Sequence, residues 1–228
     1  MTINLLLAFT IWFSDSPSKS YPLHVRGSQS AVQALVQILN SELSESMSVQ
    51  AQPIDLLAQE FGISLIRKSE NQSIVSRPGR FQCTINYLLR DSTKVFRLQL
   101  VEDDPRVLIG EGMKSIVDIS DIKKFNLDSD GDFTAANVLV HELYEQFQLQ
   151  VIENLIPGKI KPSQLKAAHM KAIQKESNLY SLTMLRTDAT IEKDYILIEY
   201  SSRIDSSQKH YHAYYRRGNI ERIEKVDE

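Results

Sequence analysis

The run Val138-Leu139-Val140-His141-Glu142-Leu143-Tyr144-Glu145 sets a His, an adjacent Glu and a second Glu inside an apolar stretch with helical spacing. Residues four apart on a helix lie one above the other, about 5–6 Å apart at Cβ, so His141 and Glu145 can converge on one metal ion. Glu142 points off to one side, where a metal-bound water can sit. A further His, in Ala167-Ala168-His169, falls on the next predicted helix. Two His and one carboxylate form the ligand set of a common class of catalytic zinc site.

The elements that must carry these residues are two helices. From about 133 to 153, Leu139, Leu143, Phe147 and Val151 form one apolar stripe at i+4 spacing. A second stripe, Val138, His141, Glu145, Leu149 and Ile152, holds the motif and is itself mostly apolar. A His and a Glu in such a stripe must be paired, hydrogen-bonded or metal-bound, because an isolated buried charge is very costly. Between Pro162 and Tyr180, the positions Leu165, His169, Ala172, Glu176 and Leu179 share a face, and Lys166, Lys171 and Lys175 lie mostly away from it. Each helix thus brings one His and at least one Glu to its inward side.

These residues resemble the zincin-type metallopeptidases, whose signature is His-Glu-x-x-His on one helix with a third ligand, often Glu, on a following helix. Here the order is exchanged: Glu145 stands where the second His should be, and His169 where the downstream Glu should be. The pattern is also similar to a group of uncharacterised bacterial domains that pair His-Glu-Leu-x-Glu with a later Ala-His. The resemblance covers only about 138–176. It implies a zincin-like core, with His141, Glu145 and His169 as zinc ligands and Glu142 as the general base that takes a proton from a metal-activated water. Glu176 has two readings: it hydrogen-bonds a ligand His from outside the coordination sphere, or it replaces Glu145 as the ligand. The implied activity is hydrolysis, most readily of a peptide bond in a peptide or protein substrate. The alternative is an inactive scaffold of the same fold, serving as a binding or structural module around a metal-free His–Glu network or a closed metal staple.

Composition leaves room for this and excludes other classes. The chain has 228 residues and a net charge of −3, with 26 Lys and Arg against 29 Asp and Glu. Its cations are scattered, so there is no electrostatic footprint for nucleic acid. The run 211–217 mixes aromatic and basic residues but is too short to bind RNA by stacking. The apolar stretch from Leu5 to Phe13 is too short to span a bilayer, lacks a basic flank and reads as a buried strand. No membrane partner is expected, and the expected location is cytoplasmic, with secretion left open. Cys83 is the only cysteine, so no intramolecular disulfide exists, and its place in an apparent strand predicts a buried, inert thiol.

Elsewhere the pattern predicts a helix over 28–45 capped by Ser28 or Ser30, and a short helix over 53–61 stopped by Gly62. Strands are expected at 63–68, 73–76, 81–89, 94–101, 106–109 and 115–119, and in a tail at 181–186, 194–203, 210–217 and 220–225. Asn126, Asp128, Asp130, Gly131 and Asp132 resemble the first half of a calcium loop, but Asn137 occupies the position of its bidentate Glu, so a turn and helix cap is favoured. His210 and His212 alternate along a strand with Tyr214 and could place an oxyanion donor on one face, but a half-exposed sheet face is the favoured reading. The expected fold class is α+β, a single domain over 1–228: a β/α part over 1–125, motif helices over 133–180 and C-terminal strands over 181–228. A mixed or antiparallel sheet would pack on the two motif helices.

Overall fold

The computed structural model describes residues 21–67, 79–125, 134–180, 182–184, 190–191, 195–202 and 208–226. Its elements are β1 (Leu23–Arg26), α1 (Gln29–Ser41), β2 (Met47–Asp55), β3 (Glu60–Arg67), α2 (Arg80–Leu89), β4 (Phe96–Val101), β5 (Gly110–Glu111), β6 (Ile116–Asp118) and α3 (Ile119–Lys123). They continue with α4 (Ala135–Phe147), a π-helical turn (Gln148–Ile152), α5 (Pro162–Tyr180), β7 (Leu182–Met184), β8 (Thr190–Ile191), β9 (Tyr195–Ser202), β10 (Gln208–Arg216) and β11 (Asn219–Val226). The class is α+β, as expected.

The first sheet has the order β2-β3-β1-β4-β6-β5. It is mixed: β1 with β4 and β4 with β6 are parallel, and the remaining pairs are antiparallel. The second sheet is antiparallel, in the order β11-β10-β9-β7, with β8 also on β9. One apolar core runs from Leu23, Val25, Ile63 and Leu98 of the first sheet, through Leu35 of α1 and Leu139 and Leu143 of α4, to Tyr211 and Ala213 of β10. Of the two motif helices, α4 packs directly on β4, where Phe147 meets the Phe96 ring edge-on at 5.6 Å. Helix α5 lies against α4, α2 and β7.

Local chemistry accounts for most boundaries. Ser28 caps α1 by accepting from Ala31 N at 3.1 Å, and Asn40 ties its far end to β2 through both Val49 backbone groups. Four expectations are corrected. Residues 53–61 form the end of a hairpin, not a helix: Asp55 accepts from Leu57 N and Ala58 N and closes a tight turn between β2 and β3. Residues 81–89 form helix α2, not a strand. Phe81, Thr84, Ile85, Leu88 and Leu89 are its buried positions, a three- and four-residue spacing that alternation does not describe. Cys83 therefore lies on the outer side of a helix and is exposed, not buried. Residues 106–109 are irregular, ending at Ile109 with φ +64°, and the strand comes after them as β5. The readings at 5–13, 73–76 and 126–132 lie outside the described residues.

Candidate metal centre

Helix α4 is held by its apolar stripe. Leu139, Val140 and Leu143 are fully buried, and Phe147 is wedged between Phe96 and Tyr87. That anchoring turns His141 and Glu145, one helical turn apart, toward α5, where Ala168 and Ala172 are fully buried and let the two helices approach. Ile152 is the exception in the motif stripe: it is 49 % exposed, because the chain widens into a π-helix after Phe147 and rotates it outward.

His141, Glu145 and His169 meet between the helices, with one ligand atom from each lying within 4.8 Å of the others. His141 Nε2 is 3.0 Å from His169 Nδ1, and the same His169 nitrogen is 2.9 Å from Glu145 Oε2. The two rings stand 4.7 Å apart at 68°. The other His141 nitrogen, Nδ1, is 2.9 Å from Glu176 Oε2. So Glu145 is the carboxylate inside the cluster, and Glu176 grips His141 from behind. Glu145, Glu176 and His141 are buried, whereas the His169 side chain is 39 % exposed and forms the open side.

Elementary valence makes this cluster unusual. A ring nitrogen has one in-plane position, either an N–H or a lone pair. When His141 is neutral, donation from its Nδ1 to ionised Glu176 leaves Nε2 a lone pair, as in His–metal–carboxylate arrangements generally. His169 Nδ1 has two partners within hydrogen-bond distance, His141 Nε2 and Glu145 Oε2, and a single in-plane position with which to meet them. A cation among the three atoms removes that competition, because each atom can then present a lone pair. Ligand atoms on a tetrahedral zinc stand about 3.3 Å apart, given bonds of roughly 2.0–2.1 Å. The observed 2.9 and 3.0 Å contacts are a few tenths of an ångström tighter, and all three atoms lie within 4.8 Å of one another. On donor type and number, the residues could hold a metal ion.

The electrostatics point the same way. Three carboxylates, Glu142, Glu145 and Glu176, crowd two imidazoles. Burial pushes the Glu142 carboxyl well above the usual range, and the charge of Glu145 pushes it further. Burial works against protonated His141, but the hydrogen bond and charge of Glu176, with Glu142 and Glu145 behind it, hold its pKa up at about 9. An excess of negative charge that raises the pKa values of both Glu142 and His141 is an environment a divalent cation stabilises.

Three contributors escaped the sequence reading. The edge strand β5 and the turn after it pass over the motif, bringing Gly110 against the Glu142 carboxylate and Gly112 against that of Glu145. Gln146, buried beside Glu145 on α4, donates from Nε2 to Gly112 O at 2.9 Å and accepts from Ser115 Oγ. The only cue in the chain was two glycines flanking Glu111 and an amide next to the motif Glu. His212 and Tyr214, weighed as oxyanion donors, lie instead in the second sheet: His212 stacks on Tyr195 at 4.1 Å, and Arg222 covers the Tyr214 ring. Among the described residues, no helix is long and apolar enough to cross a membrane. No protein-family model matches the chain, and neither a curated protein nor a solved structure is similar to it, so what this centre can do is carried by its own geometry.

Proposed function

We propose that His141, Glu145 and His169 hold a divalent metal, zinc by donor chemistry, and that the protein is a zinc-dependent hydrolase acting on peptide bonds. The observation that supports this most directly is the shared His169 Nδ1, which has two partners within hydrogen-bond distance and one in-plane position. Zinc bound by such a set supplies Lewis acidity toward a carbonyl and brings the pKa of water down to about 7. Glu142, ionised when the cation is bound, would take a proton from the water and later deliver it to the leaving amine. Glu176 holds His141 in the tautomer that leaves Nε2 free and keeps the ring aligned. The open side of His169 gives a substrate its approach. A peptide substrate and the single-domain organisation belong to the same proposal.

A second reading is favoured by one observation. Glu176, His141, His169 and Glu145 form an unbroken side-chain chain from α5 to α4 and back. Such a chain can act as a structural staple in a non-catalytic scaffold. The two readings separate on metal content of the protein purified without added metal. About one zinc per chain, with peptide hydrolysis lost in Glu142→Gln, supports the enzyme; no bound metal supports the scaffold.

A further inference from the structure

Gly110 and Glu111 make the outer edge of the first sheet, and with Gly112 in the turn after them they run across the two motif carboxylates. A methyl group added at Gly110 would stand 2.5 Å from Glu142 Oε2 and 2.8 Å from its Cδ. One added at Gly112 would collide with Glu145 Oε1 and with Leu165 Cδ1. Neither position needs glycine for its backbone, because the described glycines with positive φ are Gly158 and Gly218. What Gly110 and Gly112 answer to is space.

The strap is also unable to retreat. Gly110 is paired with Val117, and its N–H donates to Leu108 O at 2.7 Å. Gly112 O accepts from Gln146 Nε2 at 2.9 Å, and Met113 O accepts from Gly158 N at 2.7 Å. Gln146 adjoins Glu145 in the chain and is fully buried. The helical turn that presents Glu145 therefore also holds the strap at its fixed height above Glu145.

We propose that this strap is a backbone stop that sets both carboxylates in place, with Gly112 the positioning residue for Glu145 and Gly110 the positioning residue for Glu142. This rests on the reading of the cluster as a metal centre. In Gly112→Ala the tethered strap stays and the carboxylate, being the free end of a side chain, yields, which breaks its contact with His169 Nδ1. Zinc affinity should fall by about 10–100-fold, the range seen when support around a ligand is lost. In Gly110→Ala the displaced group is Glu142, outside the cluster, so zinc affinity stays near wild type while hydrolysis falls. Gly79→Ala is the control, since a methyl there meets nothing within 4 Å.

The test is zinc titration calorimetry on the full chain and these three variants, with nitrogen-edited NMR of the His169 imidazole in the metal-free proteins. The expected result is weakened zinc binding and a moved His169 signal in Gly112→Ala only. Equal affinity and an unmoved signal in Gly112→Ala overturn the strap proposal and leave the metal reading intact. If the wild type takes up no zinc, the metal reading falls, and the His169 signal alone decides the strap: moved supports it, unmoved overturns it. Should Gly112→Ala fail to fold, adding Glu145→Asp withdraws the carboxylate by one methylene and restores folding; persistent unfolding overturns the proposal.

Discussion

Among the described residues, acidic groups are buried in two places and treated in opposite ways. At the start of α3, Asp118 and Asp121 are fully buried. Asp118 accepts from the backbone N–H groups of Asp103, Asp104, Ser120 and Asp121, and Asp121 accepts from those of Ile109 and Ile220. Those donors cannot lose a proton or turn away, so the pair joins α3, the 103–109 loop and β11 into a permanent joint. Between α4 and α5 the partners of the carboxylates are imidazoles, which titrate and compete for protons. Burial alone therefore does not mark a chemical site. What marks it is acidic groups whose partners are themselves ionisable.

The contrast breaks most plainly at Glu142. With Glu142→Gln, peptide hydrolysis should drop by about 10²–10⁴-fold, with zinc content and melting temperature nearly unchanged. If that variant unfolds as badly as His141→Ala, Glu142 is a structural partner and the two acidic regions are alike after all. His141→Ala or His169→Ala should lose zinc and the stabilisation that binding adds, visible as a melting temperature that no longer responds to added zinc.

Next in size is the structural joint. Asp118→Ala strands four backbone donors, one in a buried bond and three in part-buried ones that water can reach, so the loss is about 1–3 kcal/mol, read by chemical denaturation. Zinc should not offset it by any more than it stabilises wild type. A larger zinc rescue in Asp118→Ala would show that this joint, too, is a cation site.

Within the metal centre, Glu145→Ala should abolish tight zinc binding, whereas Glu176→Ala should weaken it by about 10–100-fold, since Glu176 acts through His141. Metal kept in Glu145→Ala and lost in Glu176→Ala would exchange their roles. Glu145→His should retain zinc, because an imidazole at the same place on α4 supplies a good neutral ligand.

The smallest effect is a pH dependence at the joint. Burial raises the Asp121 carboxyl to about 6 against an ordinary value near 3.8. A carboxyl whose folded value is raised favours the fold while protonated. Its contribution is thus complete below about pH 4 and is lost as pH rises through about 6. The melting temperature of wild type relative to Asp121→Asn should therefore decline between pH 4 and 6.5. A rise over that window would mean that the two backbone donors, not burial, govern this group.

Legibility followed the range of the interaction. The α4 motif, the α5 boundaries and the Ser28 cap were readable because each depends on neighbours within four residues. Residues 81–89 misled because Phe81-Gln82-Cys83-Thr84-Ile85 is rich in strand-favouring residues, while burial in the fold follows a helical spacing. Residues 53–61 misled because a single side chain, Asp55, closes a turn that composition does not announce. The exchanged ligand order was visible as an inventory, but which Glu joins the cluster was not.

The chain by itself determined that His141 and Glu145 share one side of a helix, since a period of 3.6 residues leaves no other arrangement, and that a second helix carries His169 and Glu176 on one side. Only the tertiary structure decided which of those groups meet. The rotation of α5 against α4, set by Ala168, Ala172 and the Phe147 anchor, puts His169 on Glu145 and Glu176 on the far nitrogen of His141. Likewise, Gly110 and Gly112 acquire their meaning because pairing of β5 with β6 carries that edge and its turn over Glu142 and Glu145. Helical register is a local property of the backbone, whereas the angle between two helices and the height of a strand above them depend on packing distributed over the whole core.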